Sequence, residues 1–207
     1  MRAVRWLGAA LIGVSAIGGS APGVGAAGEP PRPEQPNAFE HVHALTFDAE
    51  GQTLWLGTHG GLFRSEDGRT WRPVALPSKQ ERHLDVMALV SDPKDPRTLY
   101  VGTHEAGVLK TTDGGASWSG INTGLGGADV HGVALDPNVP RKLHALVRGQ
   151  GGGLYRTSDA GSRWVRVDDG PAGEVKVLTS VNISTGMGGI FLYAGTAEGL
   201  LKSPDCF

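Results

Sequence analysis

The sequence predicts an all-β fold, a β-propeller of four-stranded blades, and three observations predict it. Asp67, Asp113, Asp159 and Asp205 recur at a constant interval of 46 residues, which is the length of one four-stranded blade. In front of each aspartate stands the same pair of short apolar strands: "LWLGTHGGLFRS", "LYVGTHEAGVLKT", "LHALVRGQGGGLYRT" and "FLYAGTAEGLLKS". Composition agrees, because 33 glycines and 13 prolines with only 6% aromatic residues suit short strands joined by tight turns. A hydrophobic fraction of 39% over 207 residues is enough for a packed core.

The elements follow in chain order. Residues 1–27 carry Arg2 and Arg5, then an apolar run from Trp6 to about Gly18, then small residues at Val24, Gly25, Ala26 and Ala27. This is the pattern of a signal peptide, with an uncleaved anchor as the alternative. The run is short and glycine-rich for a bilayer span, so no stable membrane span is expected after cleavage. Residues 28–40, "GEPPRPEQPNAFE", form a proline-rich linker. The blades are expected at 41–76, 84–122 and 129–168, with an incomplete one at 174–207. Each opens on a further strand, "VHALTFD", "VMALVSD", "VHGVALD" or "VKVLTSV". Alternation within "LWLGT" sends Leu54 and Leu56 one way and Trp55 and Gly57 the other, as a strand does. The fourth unit stops inside its turn, close to the lone cysteine, Cys206. About 3.75 blades are therefore present, and the expectation is a fragment of a larger propeller.

The recurring turn has a mechanical reading. The carboxylates of Asp67, Asp113 and Asp159 can accept the N–H groups of a hairpin loop, and Ser65, Thr111 and Thr157 can add a local hydroxyl bond. Gly68, Gly115 and Gly161 permit backbone angles that a side chain would resist. Trp71, Trp118 and Trp164 follow, each able to bury roughly 150–250 Å², worth several kcal/mol at about 25 cal/mol/Å². The motif reads as a structural staple, with too few clustered oxygens for calcium.

"SEDGRTW", "TTDGGASW" and "TSDAGSRW" resemble the Asp-box, or BNR repeat, whose pattern is Ser/Thr-x-Asp-x-Gly-x-Thr/Ser-Trp. The resemblance extends over residues 41–207. It implies a propeller like those of sialidases, xyloglucanase-type glycoside hydrolases, sortilin-like receptors and photosystem II assembly-factor-like proteins, in which the boxes lie away from the active site. The first box is one residue short, and the third has Arg163 where Thr or Ser is usual. Fold is specified far more tightly than function, since these families share little else.

Chemistry is therefore sought on the opposite face. Aligned first strands place His41, Asp85, Asp129 and Glu174 in one column, and His43, Met87, His131 and Lys176 in the next but one. Loops on that face add His59, His104 with Glu105, Arg148 with Gln150, and Glu198. First strands line a propeller's channel, so these groups converge on its mouth. A hydrated polar rim accounts for them without function. The functional reading is a ligand site at His41, His43, His59, His104, Glu105 and His131, with a divalent transition metal possible at His41, His43, His59 and His104.

For glycosidase chemistry, Asp85 and Asp129 on adjacent blades are the candidate pair, which would need to stand about 5–5.5 Å or 6.5–9.5 Å apart. A sialidase is disfavoured, because no Arg-Ile-Pro segment is present and Tyr100, Tyr155 and Tyr193 fall in core strand positions. Without the leader, 17 basic residues stand against 21 acidic ones, which does not recommend nucleic acid. No cofactor is certain from the residues. The expectation is an exported binding or assembly module for a protein, glycan or metal, with a glycoside hydrolase using the two aspartates as the alternative.

Overall fold

Stacked apolar strands need cover on both faces, and the chain meets that need by laying four small antiparallel sheets side by side around a shared channel. The computed structural model describes Phe39 and residues 41–77, 84–171, 174–182 and 190–203, all within the compact unit Gln35–Phe207. The leader, the rest of the linker, Asp205 and Cys206 lie outside the described residues. The first sheet holds β1 (Val42–Phe47), β2 (Leu54–Thr58), β3 (Gly61–Ser65) and β4 (Arg72–Val74). The second holds β5 (Val86–Ser91), β6 (Leu99–Thr103), β7 (Val108–Thr111) and β8 (Ser119–Gly120). The third holds β9 (Val130–Leu135), β10 (Leu143–Val147), β11 (Gly153–Thr157) and β12 (Val165–Asp168). The fourth shows β13 (Val175–Val181), β14 (Phe191–Thr196) and β15 (Gly199–Lys202). Strands are ordered within each sheet as in the chain, which is the propeller arrangement. No helix occurs among the described residues.

The core lies between the sheets, one cluster to each seam. Trp55, Leu62, Val86 and Leu99 fill the first seam, Tyr100, Val108, Val130 and Trp164 the second, and Leu146, Val175, Leu178 and Leu192 the third. Burial in the second strands extends to both faces of their alternation. Trp55 and Leu56 point to opposite faces, yet both are buried, as is every residue of β6 and β10. A central blade strand has protein on both sides.

Close approach between blades is set by glycine. A Cβ on Gly57 would lie 2.6 Å from Val86 Cγ1, and one on Gly102 2.9 Å from Val130 Cγ1. The third blade has Leu146 at this place, and its partner across the ladder is Gly132. Bulk added to one strand is thus removed from its neighbour.

The Asp-box turns carry the bonds expected of them. Asp113 Oδ1 accepts Ser117 N–H at 2.9 Å and the Thr111 hydroxyl at 2.7 Å, while Ser117 Oγ donates to Oδ2 at 2.5 Å. Thr111 Oγ1 in turn accepts Gly115 N–H at 3.0 Å. The short first box makes the same bonds with one residue fewer, Gly68 N–H reaching Ser65 Oγ at 2.9 Å and Thr70 N–H and hydroxyl reaching Asp67. These donors hold the Asp67 carboxyl well below the usual range and that of Asp113 down at about 2. In the third box Arg163 supplies only its N–H to Asp159 Oδ1, at 3.0 Å.

The tryptophans pack toward the preceding blade. Trp164 is 2% exposed and donates its indole N–H to Ile121 O at 2.6 Å. Trp118 meets Trp55 edge-on, with ring centroids 6.5 Å apart. Trp71, in the first blade, meets Phe39 instead, at 6.0 Å.

Candidate functional site

At the mouth of the channel the backbone departs from a regular ladder in all four sheets at the same place. Val42 pairs with Thr58 and Ala44 with Gly57, so His43 is skipped. Met87, His131 and Lys176 are skipped in the same way. Each is the extra residue of a β-bulge, a device that re-aims a side chain. All four line a cavity of about 430 Å³ enclosed by β1, β5, β9 and β13. Sequence alignment found this column without finding its cause. The signal was the β-branched residue, variable residue, small residue pattern of "VHA", "VMA" and "VHG".

The second-to-third strand loops supply the next groups, and a threonine shapes them. Thr58 Oγ1 donates to Gly61 O at 3.2 Å and accepts Gly60 N–H at 2.9 Å, which fixes the turn that carries His59. Thr103 does the same around His104, bonding Gly107 O at 3.0 Å and Ala106 N–H at 2.9 Å. The third blade has Val147 here and a longer loop, closed by Gly152 N–H to Gly149 O at 3.0 Å, that presents Arg148. Backbone bonds then tie loop to strand: His104 N–H reaches Asp85 O at 3.1 Å and Arg148 N–H reaches Asp129 O at 2.8 Å.

These parts assemble three polar seams. In the first, His43 Nε2 lies 3.8 Å from Asp85 Oδ1 and His59 Nε2 lies 3.5 Å from Asp85 Oδ2. The His59 ring stacks on both His43 and His41, with centroids 4.6 Å and 4.8 Å away. In the second, His131 Nε2 touches Asp129 Oδ1 at 2.9 Å and His104 Nε2 stands 3.7 Å from the same oxygen. In the third, Lys176 meets Glu174 at 2.5 Å, and Arg148 lies 4.0 Å from it. Burial holds the imidazoles of His43 and His131 below their ordinary pKa, against the pull of Asp85 and Asp129 in the other direction.

The expected column of His41, Asp85, Asp129 and Glu174 is spread over the three seams, and the four histidines expected as one metal set divide. His43 and His59 join Asp85, His104 joins Asp129 and His131, and His41 stacks on His59. Glu105, Gln150 and Glu198 are exposed at the rim. Asp85 and Asp129 each contact two imidazoles.

Comparison with known proteins agrees with this architecture. The family described as photosynthesis system II assembly factor YCF48 matches residues 36–187. A xyloglucanase from Paenibacillus sp is 29% identical over 146 residues, covering 58% of this chain and 14% of its own length. An oligoxyloglucan-reducing end-specific xyloglucanase from Emericella nidulans is 38% identical over 72 residues, covering 33% of this chain and 9% of its own. The chain therefore spans a small part of the curated relatives it matches. Among solved structures, an ancestral GH74 enzyme superposes with a TM-score of 0.57 at 18% identity, covering 79% of this chain and 22% of that one. YCF48 bound to D1 peptide gives 0.54 at 19% identity, covering 76% and 47%. Likeness at these identities shows the fold alone.

Proposed function

We propose, from the premise that this chain belongs to the photosynthesis system II assembly factor YCF48 family, that it is an exported binding and assembly module that takes a peptide segment of a partner protein at its channel mouth. The observation that carries the proposal is the repeated bulge. Four blades spend a ladder irregularity to turn His43, Met87, His131 and Lys176 toward one cavity, which a packing role does not require. The lining mixes apolar stems with imidazole, thioether and ammonium groups, a surface suited to an irregular polypeptide. Residues 1–27 provide the export signal in this reading. No helix among the described residues is long and apolar enough to cross a membrane. A relative solved with a peptide bound supports the same ligand class.

Hydrolysis of a glycan is the second reading, favoured by the xyloglucanase likeness. Asp85 and Asp129 would then act as acid and base on a bond held between adjacent blades. One experiment separates the two. Peptides selected from a random library are titrated against the wild type, Met87→Ala and Lys176→Glu, while xyloglucan oligosaccharides are assayed with the wild type, Asp85→Asn and Asp129→Asn. Peptide affinity that falls in both cavity variants, without glycan turnover, supports the binding module. Turnover abolished in both aspartate variants replaces it with the hydrolase.

A further inference from the structure

We propose that His43, His59 and Asp85 form a site for a divalent transition-metal ion of the zinc class, held at the seam between the first and second blades. This goes beyond peptide binding and does not depend on it. The His43 Nε2 to Asp85 Oδ1 distance of 3.8 Å and the His59 Nε2 to Asp85 Oδ2 distance of 3.5 Å are too long for hydrogen bonds. The shorter matches the edge of a tetrahedron whose metal–ligand bonds are about 2.0–2.2 Å; the two run to different oxygens of Asp85, so the carboxylate would bind through one of them. All three ligand atoms lie within 4.8 Å of one another. His43 Nε2 and Asp85 Oδ1 are shielded from solvent and make no hydrogen bond. Buried polar atoms left in that state are costly, and one cation between them would satisfy both.

The supporting structure holds the ligands in place. His59 is clamped between the rings of His41 and His43, and its loop is fixed by Thr58. His43 is aimed by its bulge. Two imidazoles and one carboxylate select zinc, nickel or copper over calcium and magnesium, which prefer all-oxygen sets. Three protein ligands leave a fourth position, and the His59 side chain, 49% exposed, marks the side from which water or a ligand group would fill it.

The other seams show what a closed version looks like. His131 and Asp129 already touch at 2.9 Å, and at the third seam Arg148 and Lys176 put fixed cations beside Glu174. Two His–Asp sets among the described residues bring their ligand atoms within 4.8 Å of one another; in the second, His131 touches Asp129 at 2.9 Å while His104 stands 3.7 Å from it, and in the first both imidazoles stand apart from the carboxylate.

The test uses full-length protein without an affinity tag, stripped by chelator, then titrated with zinc by calorimetry and with cobalt(II) by visible absorption. The wild type should bind zinc stoichiometrically, melt at a higher temperature with zinc, and show the ligand-field bands of bound cobalt. Asp85→Asn and His59→Ala should weaken binding by at least about tenfold and lose the bands. Both side chains reach solvent, so the variants should fold, as circular dichroism would verify. Asp129→Asn should keep the first-seam ion. The proposal is overturned if the wild type binds no zinc, if Asp85→Asn binds as the wild type does, or if only Asp129→Asn removes the ion.

Discussion

The two faces of the propeller are built from the same repeat and treat it in opposite ways. On the Asp-box face, each turn uses its carboxylate for its own backbone and its hydroxyl for the glycine that follows, so a hydroxyl residue, Asp and Gly recur in three blades. On the channel-mouth face, four equivalent bulges hold His43, Met87, His131 and Lys176, three different chemistries on one backbone geometry. A side chain that bonds to its own loop is constrained by that loop. One that faces an open channel is constrained only by what it meets there.

The largest test of this contrast is the staple. Trp164→Ala removes a buried indole and its bond to Ile121, and should cost about 3–5 kcal/mol in urea unfolding. Trp71→Ala should cost clearly less, since Trp71 is only half-buried and packs on Phe39. Equal losses would mean that the tryptophans do not act by joining blades.

Next in size is a pH effect. Burial of His144 in β10 lowers its pKa to about 4, so the folded state resists a proton that the unfolded chain accepts near pH 6.5. Stability should be fully present above pH 6.5 and fall by about 3 kcal/mol as pH drops to 4. His144→Leu should flatten that limb. The box aspartates act in a lower window: Asp113, with its pKa near 2, gives stability that is present above pH 4 and lost as pH falls toward 2. Chemical unfolding at a series of pH values checks both, and an unchanged slope in His144→Leu would count against the buried histidine.

Gly102→Ala should cost about 1–3 kcal/mol, because the new Cβ meets both the side chain and the backbone oxygen of Val130 across the blade seam. Gly68→Ala, with open space around its Cβ but a φ of 68°, should lose less. Thermal melts that reverse this order would show that turn strain, not blade spacing, governs the glycines. The smallest effect belongs to the mouth. Asp85→Asn should change the stability of the zinc-free protein by about 1 kcal/mol or less while altering metal binding.

Much of the blade plan was legible, since the 46-residue interval and the flanking strands appear directly as four sheets in chain order. The polar column was legible as well, because strand alignment puts Asp85, Asp129 and Glu174 in register. Its grouping was not. Whether His43 turns toward His59 or toward His104 depends on a bulge and on which blade lies beside it, and neither is a local property of "HVH". The burial of both faces of "LWLGT" was hidden for the same reason: alternation tells which way a side chain points, but not what stands opposite.

By itself, the sequence determined the repeat and the turn chemistry, because those depend on contacts a few residues apart along the chain. Only the tertiary structure decided which carboxylate meets which imidazole, and which pair touches directly while another stands apart at coordination distance. Those contacts join residues from separate strands and neighbouring blades, and their spacing is set by glycine-limited packing rather than by any single segment.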